Sequence, residues 1–378
     1  MSWKKPNKNL HDFINESAIV EDNNTIYCPD VLPKRKEGWY VFLAGPVQGT
    51  YDWRGTMPKI DNVTYLSPVR TNYDKFDYTE QVEWEKKMMS IADVILFWIP
   101  ESTINIPGRE YAQTTRTEFG EYLGKGKRVI IGISKDTFPG YKYFKSKTKQ
   151  YSTPSFEIKL HRTLEDTINN LKEYIKSCDN NPHTFFVSDT HFGSDRARTL
   201  SKRPFETVEL MDWTMIERWN NNVNPNDVVI HAGDFGNYSV LQYLNYKTIS
   251  LIFGNYEYTE AKEKGHLTQD YANMLKQTYP IDEIYIEPIK YTINTGDIQE
   301  VVCIGHEPIT TKEQIKKLNL EDDTLCIFGH IHGRQKIKKF GIDVGVDGNN
   351  YTPVSDDEVL FYINAIRKGY YDDEVWVQ

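Results

Sequence analysis

Ligand-type side chains follow five apolar segments in the C-terminal half of the sequence. The five motifs are Asp189-Thr190-His191, Gly233-Asp234, Gly254-Asn255, Gly305-His306 and Gly329-His330-Ile331-His332. Residues two apart in extended backbone point to the same side, so Asp189 can act together with His191. Imidazole and carboxylate groups suit zinc, manganese or iron, and one carboxylate can bridge two ions. A single motif of this kind is typical of a surface or capping pair, but five in order after apolar strands predict a metal site.

Residues 183–359 resemble the calcineurin-like metallophosphoesterase family. Besides the five motifs, the resemblance rests on Arg203-Pro204-Phe205, on residues 231–235, and on the late segments 344–347 and 351–355. It implies an α/β/β/α sandwich in which two divalent metal ions (Mn, Zn, Fe or Ni) clamp a phosphate and activate a hydroxide for in-line attack. The implied ligands are Asp189, His191, Asp234 and His332 for one ion, and Asp234, Asn255, His306 and His330 for the other, with Asp234 bridging.

The sequence departs from the family pattern at Tyr256. Where the family usually has Gly-Asn-His and an acidic residue, this chain has Gly254-Asn255-Tyr256-Glu257. The missing histidine normally stabilises a phosphoryl oxygen or protonates the leaving group, whereas a tyrosine, with a pKa of about 10, is a poor acid near neutral pH. We therefore expect metal binding to be retained, and hydrolysis to be weaker or confined to good leaving groups. The candidate substrate contacts of this half are Tyr256, Arg196, Arg198 and Arg334, although exposed arginines are more often simple surface charge.

Three acidic residues of the N-terminal half accompany a strand that runs into the Gly45-Pro46 turn. Glu85 lies in a predicted helix, Asp93 opens a predicted strand, and Glu118 stands at the start of the next helix. The macrodipole at a helix start favours an ionised carboxylate, and a fixed carboxylate can attack an anomeric carbon. Any one of these residues alone is more typical of ordinary helix charge, so the prediction rests on the ordered set.

Residues 40–144 resemble the nucleoside 2-deoxyribosyltransferase family. The segments that carry the resemblance are 42–46, 81–85, 91–98, 115–122 and 126–129. It implies a flavodoxin-like, doubly wound parallel sheet with Glu118 of Glu118-Phe119-Gly120 as nucleophile, and with Glu85, or alternatively Asp93, handling the proton of the base. The residues implied to line the pocket are Gly45, Asp52, Trp53 and Arg54. Members of the family transfer the sugar or hydrolyse nucleotides, and both reactions remain open here.

Short apolar segments alternate with helical patterns in both halves, which predicts two α/β domains. The predicted strands are Trp39–Ala44, Val94–Ile99, 129–133, 184–188, 227–231, 249–253, 301–304 and Leu325–Phe328, and the predicted helices are 79–92, 115–123 and 164–175. Thr163 is the predicted N-cap of the last helix, the basic segment 142–149 is predicted to be a surface loop, and 177–182 a linker. The chain therefore divides into an extension, 1–38, a transferase-like domain, 39–177, and a metallophosphoesterase domain, 183–378.

The composition and net charge of the chain limit which classes of binding partner are expected. The chain has 378 residues, of which 39% are hydrophobic and 26% charged, with a net charge of -9. An acidic chain is a poor match to a phosphate backbone, so nucleic-acid binding is not expected, whereas a nucleoside or nucleotide substrate is. The absence of a long apolar segment predicts no membrane span, and four cysteines without a C-x-x-C pair fit a reducing cytoplasm. Self-association through the N-terminal domain stays open.

Taken together, the two halves predict a bifunctional enzyme of nucleotide metabolism. One half would cleave or exchange an N-glycosidic bond, and the other would hydrolyse a phosphoester with two metal ions. A second interpretation is a metal-dependent phosphodiesterase or phosphatase whose N-terminal half only binds a nucleotide. A third is a non-enzymatic nucleotide sensor with both sites degraded, for which Tyr256 is the only support.

Overall fold

The computed structural model describes residues 24–30, 38–70, 77–105, 107–108, 110–154, 156–295, 298–309, 312–334 and 336–371. Among these residues the chain forms two compact units, the first ending at Asn180 and the second beginning at Asn181. No helix in the described part of the chain is long and apolar enough to cross a membrane.

The N-terminal unit is built on one parallel sheet. Its described elements are β1 (Thr25–Cys28), β2 (Trp39–Ala44), β3 (Val63–Arg70), α1 (Tyr78–Ile91), β4 (Val94–Ile99), α2 (Gln113–Gly124), β5 (Arg128–Ile133), α3 (Tyr141–Tyr151), β6 (Leu160–His161) and α4 (Leu164–Asn180). The strand order is β1-β3-β2-β4-β5-β6, and every pairing is parallel. From β2 the chain adds β3 on one side and β4 on the other, which is the doubly wound, flavodoxin-like arrangement. Such a reversal leaves a ligand crevice at the carboxyl ends of the strands.

Burial on both faces explains why the central strands are nearly continuous apolar segments. All six residues of β2 and all six of β4 are buried. Helix α4 covers one face of the sheet with Ile168, Leu171 and Ile175, and it begins where the Thr163 hydroxyl accepts a hydrogen bond from the Asp166 backbone N–H at 3.0 Å. The predicted N-cap is therefore present, because the hydroxyl satisfies a free N–H of the first turn.

Several predicted elements of this unit differ from the observed ones. The segment 142–149, predicted to be a loop, is helix α3, because Phe144 and Thr148 lie four residues apart and are both buried while the lysines stay outside. Helix α4 continues to Asn180 into the predicted linker, and Thr25–Cys28 of the predicted extension joins the sheet beside β3. Sequence reasoning missed β3 because Ser67-Pro68 interrupts its apolar pattern.

The C-terminal unit contains two five-stranded sheets. Its described elements are β7 (Thr184–Val187), α5 (Asp195–Leu200), α6 (Val208–Asn222), β8 (Val228–His231), β9 (Thr248–Ile252), α7 (Asn255–Glu263), α8 (Thr268–Thr278), β10 (Glu283–Tyr285), β11 (Ile289–Thr295), β12 (Ile298–Ile304), α9 (Lys312–Lys317), β13 (Leu325–Phe328), β14 (Ile337–Lys338), β15 (Gly341–Asp343), β16 (Val354–Ser355) and α10 (Asp356–Arg367). The orders are β10-β9-β8-β7-β16 and β11-β12-β13-β15-β14.

The two sheets of this unit share one apolar core. Phe186, Ile230 and Ile252 of the first sheet lie in the same buried cluster as Val302 and Ile327 of the second. Burying both inner faces against each other is what specifies a sandwich. The strands β7, β8 and β9 run parallel, as do β12, β13 and β15, so each set delivers its carboxyl ends to one edge of its sheet.

Candidate functional sites

Loops at the ends of β7, β8, β12 and β13 gather the predicted metal ligands of the C-terminal unit. At these loops, two groups of His and Asp residues have ligand atoms within 4.8 Å of one another, and they share Asp189; a third group in the described residues, His183, Asp356 and Asp357, lies apart from them, before β7 and at the start of α10. The two groups that share Asp189 are Asp189, His191 and His332, and Asp189, Asp234 and His306. The structure thus brings five predicted ligands from four loops into one centre.

Five predicted ligands hold a left-handed backbone conformation. The φ angles are 56° at Asp189, 48° at His191, 60° at Asp234, 69° at His330 and 50° at His332. Non-glycine residues rarely adopt such angles, which cost of order 1–3 kcal/mol each and concentrate at functional sites. The shared strain indicates that these loops are shaped to aim side chains rather than to be stable on their own.

The carboxylates of Asp189 and Asp234 each have one oxygen that accepts a backbone hydrogen bond. The other oxygen has no hydrogen-bond partner in Asp189 and faces two imidazole rings in Asp234. Asp189 Oδ2 accepts a hydrogen bond from His330 N at 2.8 Å, while its buried Oδ1 has no hydrogen-bond partner. Asp234 Oδ1 accepts one from Tyr256 N at 2.9 Å. Its Oδ2 lies 3.5 Å from His191 Nε2 and 3.5 Å from His306 Nε2.

The imidazole nitrogens that face these oxygens are also without hydrogen bonds. His306 Nδ1 donates to the Ala232 carbonyl at 2.8 Å, so a neutral ring presents the lone pair of Nε2 to Asp234. Neither nitrogen of the buried His191 has a hydrogen-bond partner, and burial lowers the pKa of His191 to about 2. Buried lone pairs aimed at carboxylate oxygens repel unless a cation lies between them. The residues present therefore fit divalent metal ions.

The remaining two predicted ligands lie at the open side of the centre. Asn255 Nδ2 and His330 Nδ1 are 3.3 Å apart, and the His330 ring stands 5.2 Å from that of His306. They lie beside His306 of the second group, and their part in metal binding stays a prediction. The sharing of Asp189 between the two groups is an addition that sequence reasoning did not include.

Glu257 organises the centre and was missed by sequence reasoning. It is buried, and its carboxylate accepts hydrogen bonds from the backbone N–H groups of Asp234 and Phe235, each at 2.9 Å, and of Gly254 at 2.8 Å. Tyr238 adds its hydroxyl at 3.2 Å. One carboxylate thereby joins the loops after β8 and β9. The available signal was the acidic residue that follows Gly254-Asn255-Tyr256.

Tyr256 stands beside the metal-ligand cluster. Its ring meets the His191 ring edge-on, with centroids 4.5 Å apart, and its hydroxyl lies 3.5 Å from Arg196 Nη1. Arg196 is exposed, as is Arg334. Arg198 is instead engaged with Asp195 and with the Phe205 carbonyl, so it is committed to its own loop.

In the N-terminal unit, the charge of Glu85 acts on the carboxyl group of Glu118. Burial raises the pKa of Glu118 to about 7, with a further increase from the charge of Glu85 and a decrease from Arg54. Burial also raises the pKa of Glu85, against the hydrogen bond from Gln81 and the charge of Arg54. Two carboxyl groups that influence each other's protonation are a common arrangement for proton transfer beside a reacting sugar.

Arg54 joins this pair to the glycine turn. Its guanidinium donates to the carbonyls of Leu43, Gly45 and Pro46, at 3.0, 2.7 and 3.2 Å, and it stacks over the Trp53 ring at 4.4 Å. Gly45 has a φ of 147°, and a Cβ there would overlap the Trp98 carbonyl oxygen. The turn therefore requires glycine.

The other predicted residues of this half occupy different places. Asp52 is exposed and caps the Gly55 N–H at 3.2 Å. Asp93 is buried at the start of β4, where its carboxylate accepts a hydrogen bond from Tyr40 N at 2.6 Å. That contact lies at the amino end of the strand, whereas the Arg54 contacts lie at the carboxyl end of β2.

The prediction that Glu118 stands at a helix start is wrong. Helix α2 begins at Gln113, so Glu118 lies in its middle, beyond the reach of the macrodipole in the first turn. The expected lowering of its pKa is correspondingly absent, and burial raises the pKa instead.

An open depression of about 340 Å³ lies where β4 and β5 end. The rings of Tyr51 and Trp98 line it, with Ser102, Thr103 and Ser134 as polar groups. Aromatic walls with a few polar groups suit a flat heterocyclic ring.

Comparison with known proteins matches both halves of the chain. Residues 38–137 match the family model described as nucleoside 2-deoxyribosyltransferase like, and residues 183–348 match the calcineurin-like phosphoesterase superfamily domain. Each half resembles a known enzyme family. The two resemblances stated from the sequence are thereby confirmed.

One curated protein and one solved structure are also similar to this chain, and neither name states an activity. The uncharacterized protein MJ1445 of Methanocaldococcus jannaschii is 25% identical over 192 residues, which are 49% of this chain and 92% of that protein. The crystal structure of the protein of unknown function AQ665 from Aquifex aeolicus is 22% identical, with a TM-score of 0.34, and covers 48% of this chain and 99% of that chain.

Asp234→Ala should abolish binding of both metal ions, because Oδ2 of Asp234 faces the imidazoles of both ligand sets. Isothermal titration with Mn²⁺ should show two sites per chain in the wild type and none in the variant. Asp195→Ala is the matched control, since that side chain is 70% exposed, and it should bind as the wild type does. Full retention of both ions by Asp234→Ala would contradict the assignment.

Glu85→Gln should lower the pKa of Glu118 from about 7. The substitution removes a neighbouring negative charge, which opposes ionisation of Glu118, while burial keeps the pKa above its ordinary value. Titration of ¹³C-carboxyl-labelled glutamate by NMR measures the change. Glu83→Gln, on the exposed side of the same helix, should leave the pKa unchanged. An equal effect of both variants would show that Glu85 is not a specific neighbour.

Proposed function

We propose that the protein is a bifunctional enzyme of nucleotide metabolism, with a phosphoesterase in the C-terminal unit and an N-glycosidic activity in the N-terminal unit. The observation that carries the first activity is Asp234 Oδ2, which lies 3.5 Å from each of two imidazole nitrogens. What supports the second is Glu118, whose pKa is raised by burial and by the charge of Glu85, together with Arg54, which lowers both pKa values and donates to the Gly45 carbonyl.

The C-terminal unit supplies two adjoining ligand sets for divalent ions. Asp189, His191 and His332 form one, and Asp234 with His306, Asn255 and His330 forms the other. Bound ions polarise a phosphoryl oxygen and lower the pKa of an attacking water. Manganese, zinc, iron and nickel all suit these nitrogen and oxygen donors. Asp234 faces both sets, so it holds them at a fixed separation.

Tyr256 and Arg196 define the substrate side of this centre. The Tyr256 backbone N–H fixes Asp234 Oδ1, while its hydroxyl and the exposed Arg196 guanidinium point to the same region. Both are donors for phosphate oxygens. Because a tyrosine hydroxyl is a weak acid near neutral pH, esters whose leaving groups need no proton are the favoured substrates.

The N-terminal unit supplies two carboxyl groups for chemistry at an anomeric carbon. In the first step the ionised Glu118 carboxylate attacks that carbon, the C–N bond breaks, and the base leaves with its electron pair and a proton from Glu85. In the second step another base or water displaces Glu118, and Glu85 takes up the proton.

The two activities are complementary in substrate. A phosphatase supplies unphosphorylated nucleoside to a transferase, or removes phosphate from a sugar phosphate that a hydrolase releases. Both directions share a nucleoside or nucleotide as the common ligand.

A crossed experiment separates the two sites. Wild type, Glu118→Gln and Asp234→Ala are incubated with deoxynucleosides and with nitrophenyl phosphate esters, each with and without chelator, and the products are read by chromatography. Chelator and Asp234→Ala should abolish ester hydrolysis and leave base release from unphosphorylated nucleoside intact. Glu118→Gln should do the reverse. Quenched wild type should carry a sugar adduct on Glu118 by mass spectrometry.

Glu85→Gln should slow base release by about 100–10,000-fold, the usual contribution of a general acid, with poor leaving bases affected most. Glu83→Gln is its control.

Undiminished base release in Glu118→Gln would reject Glu118 as the nucleophile. Ester hydrolysis that survives chelator would reject the metal-dependent reaction, and a wild type without base release on any nucleoside or nucleotide would leave a nucleotide-binding N-terminal unit.

A further inference from the structure

The His332 ring contacts Asp347 on the side away from the metal-ligand cluster. Asp347 lies in a single turn of 3-10 helix, Val346–Gly348, that follows β15. Its Oδ2 lies 2.8 Å from His332 Nδ1, while His332 Nε2 faces Asp189 Oδ1 at 3.9 Å. Ser201 Oγ also approaches Nδ1, at 3.0 Å. Nδ1 therefore serves the supporting contact, and Nε2 faces the metal-ligand cluster.

Asp347 is in turn fixed by Arg203, whose side chain is fully buried. Arg203 Nε donates to Asp347 Oδ1 and Nη2 to Oδ2, each at 2.9 Å. Such a two-point contact sets the plane of the carboxylate. The carboxylate is consequently unable to rotate away from His332.

The same guanidinium reaches the loop that carries the other two ligands. Arg203 Nη2 donates to the Asp189 carbonyl at 2.6 Å, and Nη1 to the Thr190 carbonyl at 2.8 Å. Arg203 and Asp347 thus tie the backbone beneath Asp189 and His191 to the ring of His332. His306, in the other ligand set, is oriented differently, by the Ala232 carbonyl.

We propose that Asp347, locked by Arg203, is a positioning residue for the ion held by Asp189, His191 and His332, and has no corresponding part in the second ligand set. The inference rests on the proposed metal centre. A carboxylate that accepts the Nδ1 proton keeps the Nε2 lone pair available and strengthens it as a ligand. Loss of such a partner typically weakens metal affinity by about 10–100-fold.

Asp347→Asn tests the proposal, because it preserves shape while weakening the acceptor. Titration of the full-length protein with Mn²⁺ should show one site unchanged and the other weakened by about 10–100-fold. Asp195→Asn, whose side chain is 70% exposed and lies outside the ligand groups, is the matched control and should retain both sites. Arg203→Lys should weaken the same site, because one ammonium cannot make the two-point contact.

The outcomes distinguish this proposal from the function on which it rests. A wild type that binds no ion overturns the metal centre and the positioning role together. Two unchanged sites in Asp347→Asn, or equal weakening of both, overturn the positioning role while the metal centre stands.

A measurement on the wild-type protein tests the proposal even if Asp347→Asn does not fold. Long-range ¹H–¹⁵N spectra of the zinc-loaded protein should show the His332 proton on Nδ1, with the signal assigned from its absence in His332→Gln. A proton on Nε2 would overturn the proposal.

Discussion

The metal-ligand cluster of the C-terminal unit is organised around one carboxylate oxygen buried between two imidazole nitrogens. Asp234 Oδ2 faces His191 Nε2 and His306 Nε2 at 3.5 Å each, and its other oxygen is already held by the Tyr256 backbone. Burial raises the pKa of Asp234 to about 7, because the charged form lacks solvent. A bound divalent cation would reverse that penalty, so the proposed metal binding would also stabilise these loops.

Glu257 and the backbone conformation of Asp234 keep the carboxylate of Asp234 in this position. Glu257 accepts hydrogen bonds from two loops, and the φ angle of 60° at Asp234 keeps the carboxylate aimed inward. The N-terminal unit differs in its charge balance. Arg54 is the one cation among the described groups that shift the pKa values of Glu85 and Glu118. Because burial raises the pKa of both carboxyl groups, protonation can reduce the negative charge there, and groups of this kind suit proton transfer.

The ligand positions could be predicted from the sequence because each follows an apolar strand whose last two residues are buried, and such strands are easily recognised. Cys303 and Cys326 illustrate this: they are buried free thiols at opposite positions of β12 and β13, as their apolar surroundings indicated. Helix α3 could not be predicted in the same way, since only Phe144 and Thr148 face inward. The roles of Glu257 and Asp347 depend on contacts between distant loops, which local sequence does not encode.

Anomalous diffraction from crystals grown with Mn²⁺ tests the central claim most directly. The account predicts two peaks about 3.5–4 Å apart, the usual separation in two-metal sites, with Asp234 Oδ2 lying between them. A single peak away from Asp234, or direct hydrogen bonds from His191 and His306 to Asp234 with no peak in either ligand set, would contradict it.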